Sequence, residues 1–173
     1  MLLRQVTIDD APEMYYLRSS DRLMKYICRP RPKNQDDVLP FIEKVRSMIA
    51  GNEGVAWAMT LKDDSKLIGH ISFHVLIKEH YRAEVGYILH EDYHGTGLMK
   101  EALDAVLNYG FANMGLHSVL AITSPDNTAS RKLLERNGFA QEAYFKEDFF
   151  WEGEFLDSVV YCLLNPVRGS NKP

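Results

Sequence analysis

The chain has 173 residues, 46% of them hydrophobic and 25% charged, and a formal net charge of -4. A chain of this length and ordinary composition can bury about 70% of its surface in one core, so neither metal nor disulfide is needed to hold it together. The acidic balance argues against nucleic acid as a partner, no apolar run reaches the roughly 20 residues of a membrane span, and Met-Leu-Leu-Arg meets a charge too early for an export signal.

Residues 2–7 read as a short strand, and Asp9 or Asp10 can cap a helix running to about Leu17. The Pro-containing segment 29–34 breaks the chain. Asp36 or Asp37 then opens an amphipathic helix with Val38, Phe41, Ile42, Val45, Met48 and Ile49 at helical spacing. A meander follows, with strands at 55–61, 67–76 and 82–90 and a turn at Asp63-Asp64-Ser65. Apolar residues from Leu98 to Met114 recur every three or four positions, and Gly115 stands at a C-cap. Residues 116–123 read as a strand, 128–136 as a helix closed by Asn137-Gly138, and 139–145 and 155–164 as two final strands. Strands interleaved with helices in this order predict an α/β fold with a mixed sheet. One domain is expected over 1–167, followed by a flexible C-terminal tail over 168–173. Cys28 and Cys162 form no C-x-x-C pair, which suits a reducing cytoplasm, and Cys162 reads as a buried hydrophobe.

The most informative stretch runs from Val85 to Lys100, where a strand ends in His90-Glu91-Asp92-Tyr93-His94-Gly95-Thr96-Gly97 and a helix begins at Leu98. A glycine-spaced turn at a helix start aims backbone N–H groups and the positive end of the helix dipole at one spot, which suits a pyrophosphate. A dinucleotide fingerprint would need a third glycine where Lys100 stands, and a P-loop would need Gly-Lys-Ser/Thr. A tight turn with no ligand remains the plain alternative. The second motif, Asn127-Thr128-Ala129-Ser130 through Asn137-Gly138-Phe139, follows the next strand closely, with Asn127 as a natural N-cap.

Together these segments resemble the Gcn5-related N-acetyltransferase (GNAT) superfamily. The first is similar to its Gln/Arg-x-x-Gly-x-Gly/Ala coenzyme A loop, and the second to its Asn-x-x-Ser…Gly-Phe helix. Gly153, Asp157 and Tyr161 resemble the last strands of the branch that acetylates ribosomal-protein N-termini. The resemblance implies an acyl-CoA N-acyltransferase fold, a mostly antiparallel central sheet flanked by helices, with acetyl-CoA as cofactor. It places the cofactor on Leu89, His90, His94, Gly95, Thr96, Gly97, Leu98, Met99, Asn127 and Ser130. His94 and Met99 depart from the usual loop residues, and Leu134 stands where many relatives carry a Tyr that protonates the departing sulfur. The ribosomal-protein branch uses a serine, which matches Ser130.

Direct attack of an amine on a thioester sets three tasks: deprotonating the ammonium, stabilising an oxyanion and protonating a thiolate. Glu84, a carboxylate inside an apolar strand, is the first candidate base, with an ion pair to Arg82 or Arg131 as the structural alternative. Glu91, at the strand's open end, is the substitute base. The N–H of Leu89 is the implied oxyanion donor, and Ser130 the candidate acid, or else a first-turn serine. His70 and His74 share a strand face, and His90 and His94 flank the loop, but no ligand set completes a metal site, so satisfied or solvated histidines are expected. The aromatics Phe145, Phe149, Phe150, Trp151 and Phe155 are expected mostly as core or wall. The acceptor stays open between a protein N-terminus, a polyamine and another small amine. A non-catalytic acyl-CoA sensor is a further alternative, and a homodimer is a possible assembly.

Overall fold

A computed structural model describes residues 1–166, so the expected tail at 168–173 and the domain end at 167 lie outside the described residues. Seven strands are present among them: β1 (Leu2–Arg4), β2 (Val55–Leu61), β3 (Asp64–Ile77), β4 (Arg82–Leu89), β5 (Ser118–Thr123), β6 (Ala140–Trp151) and β7 (Glu154–Leu164). The helices are α1 (Ala11–Ser19), α2 (Asp21–Met24), α3 (Leu39–Ala50), α4 (Leu98–Ala112) and α5 (Thr128–Arg136). The strands form one mixed α/β sheet in the order β1-β2-β3-β4-β5-β7-β6. β4 and β5 pair in parallel, whereas β1–β2, β2–β3, β5–β7 and β6–β7 are antiparallel.

The described chain divides into two units, Met1–Val75 with Val85–Leu103, and Leu76–Glu84 with the chain from Asp104 onward. In the first, the apolar face of α3 (Ile42, Val45) and that of α1 (Met14, Leu17) pack with Ala56 and Ala58 of β2 and Leu67 of β3. Ile42 is fully buried, and truncating such a residue to Ala costs about 2–5 kcal/mol. β1 stops at Arg4 rather than residue 7. The buried Asp10 takes the Thr7 N–H at 2.8 Å and both Arg4 guanidinium nitrogens at 2.8 and 2.5 Å, so that backbone caps the 3-10 turn Ile8–Asp10 leading into α1 instead of extending a ladder, and Asp10 itself makes no side-chain cap on α1. Ser20 then ends α1 at an extended ψ of 122° and accepts from the Leu23 N–H, starting α2. Local periodicity carried no sign of that second turn.

In the second unit, Val119 and Ala121 of β5, Leu134 of α5, and Val159 and Tyr161 of β7 are buried, with Val106 and Leu107 of α4. Cys162 is also buried. β6 runs on to Trp151 instead of ending at Phe145, because Lys146-Glu147-Asp148 is a bulge within the strand and not a loop. Glu147 takes φ 55° there, and its N–H donates to Asp157 Oδ1 at 2.8 Å while the Tyr144 hydroxyl donates to Oδ2. The aromatic group is not core. Phe145, Phe150 and Phe155 are 50%, 58% and 65% exposed, since β6 is the outermost strand and the hairpin tip reaches water.

Candidate functional site

The first unit carries the glycine loop. The His90 N–H donates to the Ile68 carbonyl at 2.8 Å, closing β4 against β3. Successive strand N–H groups point to opposite sides, so the Leu89 N–H faces away from β3. The parallel register of β4 with β5 spans Arg82↔Ser118 to Glu84↔Leu120, and Leu89 lies beyond it. After His90 the chain makes a 3-10 turn over Glu91–Tyr93. His94 Nε2 lies 2.9 Å from the Leu89 carbonyl, which can only accept, so the ring proton sits on Nε2 and the ring ties the loop to the end of β4. The Thr96 hydroxyl donates to the Tyr93 carbonyl at 2.7 Å.

Gly95 and Gly97 take φ of 76° and 87°, left-handed values that β-carbon-bearing residues adopt at a cost. A Cβ at either position would meet no protein atom within 4 Å, so the space above both is an open cradle. The first helical bond of α4 runs from the Glu101 N–H to the Gly97 carbonyl, which leaves the Leu98 and Met99 N–H groups ahead of the ladder. Donors, dipole and open cradle fit a pyrophosphate.

Glu91 sits at the strand end with a partner that sequence reasoning missed. The Tyr16 hydroxyl of α1 donates to Glu91 Oε1 at 2.8 Å. The Tyr16 ring stacks on His90 at 4.5 Å and 14°, and His90 meets Tyr93 edge-on at 5.9 Å. The Tyr16 hydrogen bond, ahead of any other influence, holds the Glu91 carboxyl below its ordinary range and pushes the phenol up. Glu91 Oε2 is buried and has no hydrogen bond among the described residues. The two residues are 75 positions apart, and no local pattern could have paired them.

The second unit carries the other named residues. Glu84 is half-buried on β4. Asn127 caps α5 through Oδ1, which accepts from the Ser130 N–H at 3.1 Å. Leu134 is fully buried, so the position where many relatives place a tyrosine is packed into the core. A tyrosine does approach α5, but from β7: the buried Tyr161 hydroxyl accepts from Arg131 Nε at 3.1 Å and donates to Glu135 Oε1 at 2.8 Å. Arg131 also donates to the Pro125 carbonyl at 3.0 Å, fixing the turn that leads into Asn127.

No group of three or more His, Cys, Asp or Glu side chains that could hold a metal ion converges among the described residues. His74 is exposed, whereas His70 is buried and neither satisfied nor solvated. Its Nε2 has no hydrogen-bond partner among the described residues. The partner expected of a satisfied ring is missing at that nitrogen.

A family profile described as "Acetyltransferase (GNAT) domain" matches residues 1–140. The chain belongs to the GNAT family. An uncharacterized N-acetyltransferase of Bacillus subtilis, YoaA, is 30% identical over 166 residues, which is 96% of this chain and 94% of the relative. The solved GNAT acetyltransferase from Bacillus anthracis superposes with a TM-score of 0.84 at 30% identity, covering 95% of this chain and 94% of that one. The [ribosomal protein uS5]-alanine N-acetyltransferase of Escherichia coli is 32% identical over 105 residues, 60% of this chain and 54% of the relative. This GNAT protein is an acetyl-CoA-dependent N-acetyltransferase.

Proposed function

We propose that this GNAT enzyme acetylates the α-amino group of a protein N-terminus, with a ribosomal protein as the leading acceptor. The observation that carries this reading is the likeness to the uS5-alanine N-acetyltransferase over 60% of the chain. The resemblance of Gly153, Asp157 and Tyr161 to the last strands of that branch supports it, and in β7 Asp157 and Tyr161 are both held by hydrogen bonds. The working domain spans 1–167 and acts in the cytoplasm. No helix among the described residues is long and apolar enough to cross a membrane.

In this reading the N–H groups from His94 to Met99 hold the pyrophosphate, with Leu89 and His90 lining the strand end and Asn127 and Ser130 the α5 end. The Leu89 N–H receives the developing oxyanion. Glu84 takes the ammonium proton through water, with Glu91 as the substitute base, and Ser130 returns a proton to the sulfur. A polyamine acceptor is the second reading. What favours it is the acidity of the β6–β7 hairpin, where Glu142, Glu147, Asp148, Glu152 and Glu154 are all exposed. Thiol release from acetyl-CoA, followed with an Ala-initiated peptide, its N-blocked form and spermidine, separates the two. Turnover of the free peptide alone supports the first reading, and turnover of spermidine alone overturns it.

A further inference from the structure

Arg18, on α1, is the most anomalous side chain in the first unit. Its guanidinium lies over the face of Phe41 from α3, 3.9 Å from the ring centroid. That contact is its only one of note: no carboxylate and no hydrogen-bond acceptor meets it among the described residues, and the side chain is half-buried. Burial lowers its pKa, and the charge of Arg29 lowers it further. The same Phe41 ring receives His70 from β3, edge-on at 5.9 Å and 68°. His70 is more than nine-tenths buried, and its Nε2 has no hydrogen-bond partner. Arg18 acts directly on that imidazole and disfavours its protonation.

A cation with no anionic partner and an imidazole nitrogen with no hydrogen bond therefore share a single aromatic platform. The carboxylate acting on His70 is Asp10, whose oxygens are taken by Arg4 and Thr7. A half-buried guanidinium gains from an anionic partner, and a buried ring N–H normally has an acceptor. Both needs are met at once by an oxyanion, which can accept a forked pair from a guanidinium and a third bond from an imidazole N–H. Arg29, exposed and bonded only to its neighbour's carbonyl at 3.1 Å, adds positive potential at the same place.

We infer that Arg18 and His70, on the Phe41 platform, form an oxyanion-binding site that takes a carboxylate or a phosphate. The oxyanion comes either with the acceptor, as an acidic group near its amine, or as a free ion. Only the first source rests on the N-terminal acetylation reading; binding itself does not.

The test begins with inorganic phosphate and acetate added to the full chain at constant ionic strength, chloride serving as the reference. Either anion should raise the thermal midpoint and move the His70 ring resonances, with the ring titrating at higher pH when the anion is present. Arg18→Gln should weaken the affinity at least about tenfold, the worth of a charge-assisted hydrogen bond. Arg29→Gln, at an exposed position, should weaken it less and folds even if Arg18→Gln does not. Ala-Asp- and Ala-Asn-initiated peptides then separate the sources. A lower KM for the acidic peptide that Arg18→Gln abolishes, together with competition by phosphate against the peptide, assigns the oxyanion to the acceptor. Equal KM values with phosphate still binding assign a free ion. Neither anion shifting the midpoint or the His70 resonances, or undiminished binding in both arginine variants, overturns the site.

Discussion

At the scale of single residues, Glu84 and Glu91 are the two carboxylates proposed for the base, and their surroundings differ. Tyr16 holds Glu91 in the ionised form, and a carboxylate held so is a better partner for an incoming ammonium than a strong base. Glu84→Gln is expected to lower the rate by about 10² to 10⁴, with the loss shrinking as pH rises and the amine arrives already deprotonated. Glu91→Gln should mainly raise the acceptor KM. A native rate in Glu84→Gln alongside a collapsed one in Glu91→Gln would exchange the roles. Tyr16→Phe keeps the stack on His90 and removes the donor, so the Glu91 carboxyl should titrate at higher pH by carbon NMR. His70 makes a separate prediction. Burial first, then Arg18 and His74, with Asp10 pulling weakly the other way, bring its pKa from 6.5 to about 4. Between those values the unfolded chain binds the extra proton, so stability is full above pH 6.5 and falls as pH drops toward 4. The loss is on the order of 3 kcal/mol. Urea unfolding at neutral and mildly acid pH should show it, and His70→Leu should flatten the slope; a slope that survives the substitution would place the titration elsewhere.

Among the elements, the turn between β4 and α4 gives the sharpest expectation. Gly95→Val with Gly97→Val meets no clash inside the protein, but each position sits at positive φ. Strain of about 1–3 kcal/mol per residue should lower the thermal midpoint, and coenzyme A binding, followed by calorimetry, should vanish while the far-ultraviolet spectrum survives. Unchanged affinity would remove the loop from the cofactor site. This turn was legible because its cause is local: a strand period ends, glycines follow, and a helix period begins. The bulge in β6 was not. Lys146-Glu147-Asp148 looks like a loop by composition, and only the cross-strand bonds to Asp157 keep it within the strand. Tyr16 and Arg18 were invisible for a related reason. Each acquires its role from a partner on another element, and a one-dimensional pattern carries no record of such pairings.

Over the whole molecule, the proposed direct attack of the amine on the thioester calls for no metal and no covalent enzyme intermediate. Chelation should leave acetyl transfer intact, and Cys28→Ser with Cys162→Ser should keep it, since the amine attacks the thioester directly. Activity lost to chelator and restored by zinc would overturn this. The outer edge of the sheet bears on how the protein behaves at high concentration. β6 is long, outermost and studded with exposed aromatics, the kind of border on which copies of a chain stack into insoluble ribbons. The kink at Glu147, pinned through Asp157 and Tyr144, breaks that border, and the charges of Lys146, Glu147 and Asp148 line it. Asp157 thus acts as a solubility guard as well as a hairpin clamp. Asp157→Ala should shorten the time a stored sample stays clear, with thioflavin-positive material forming first, even where its fresh activity is normal.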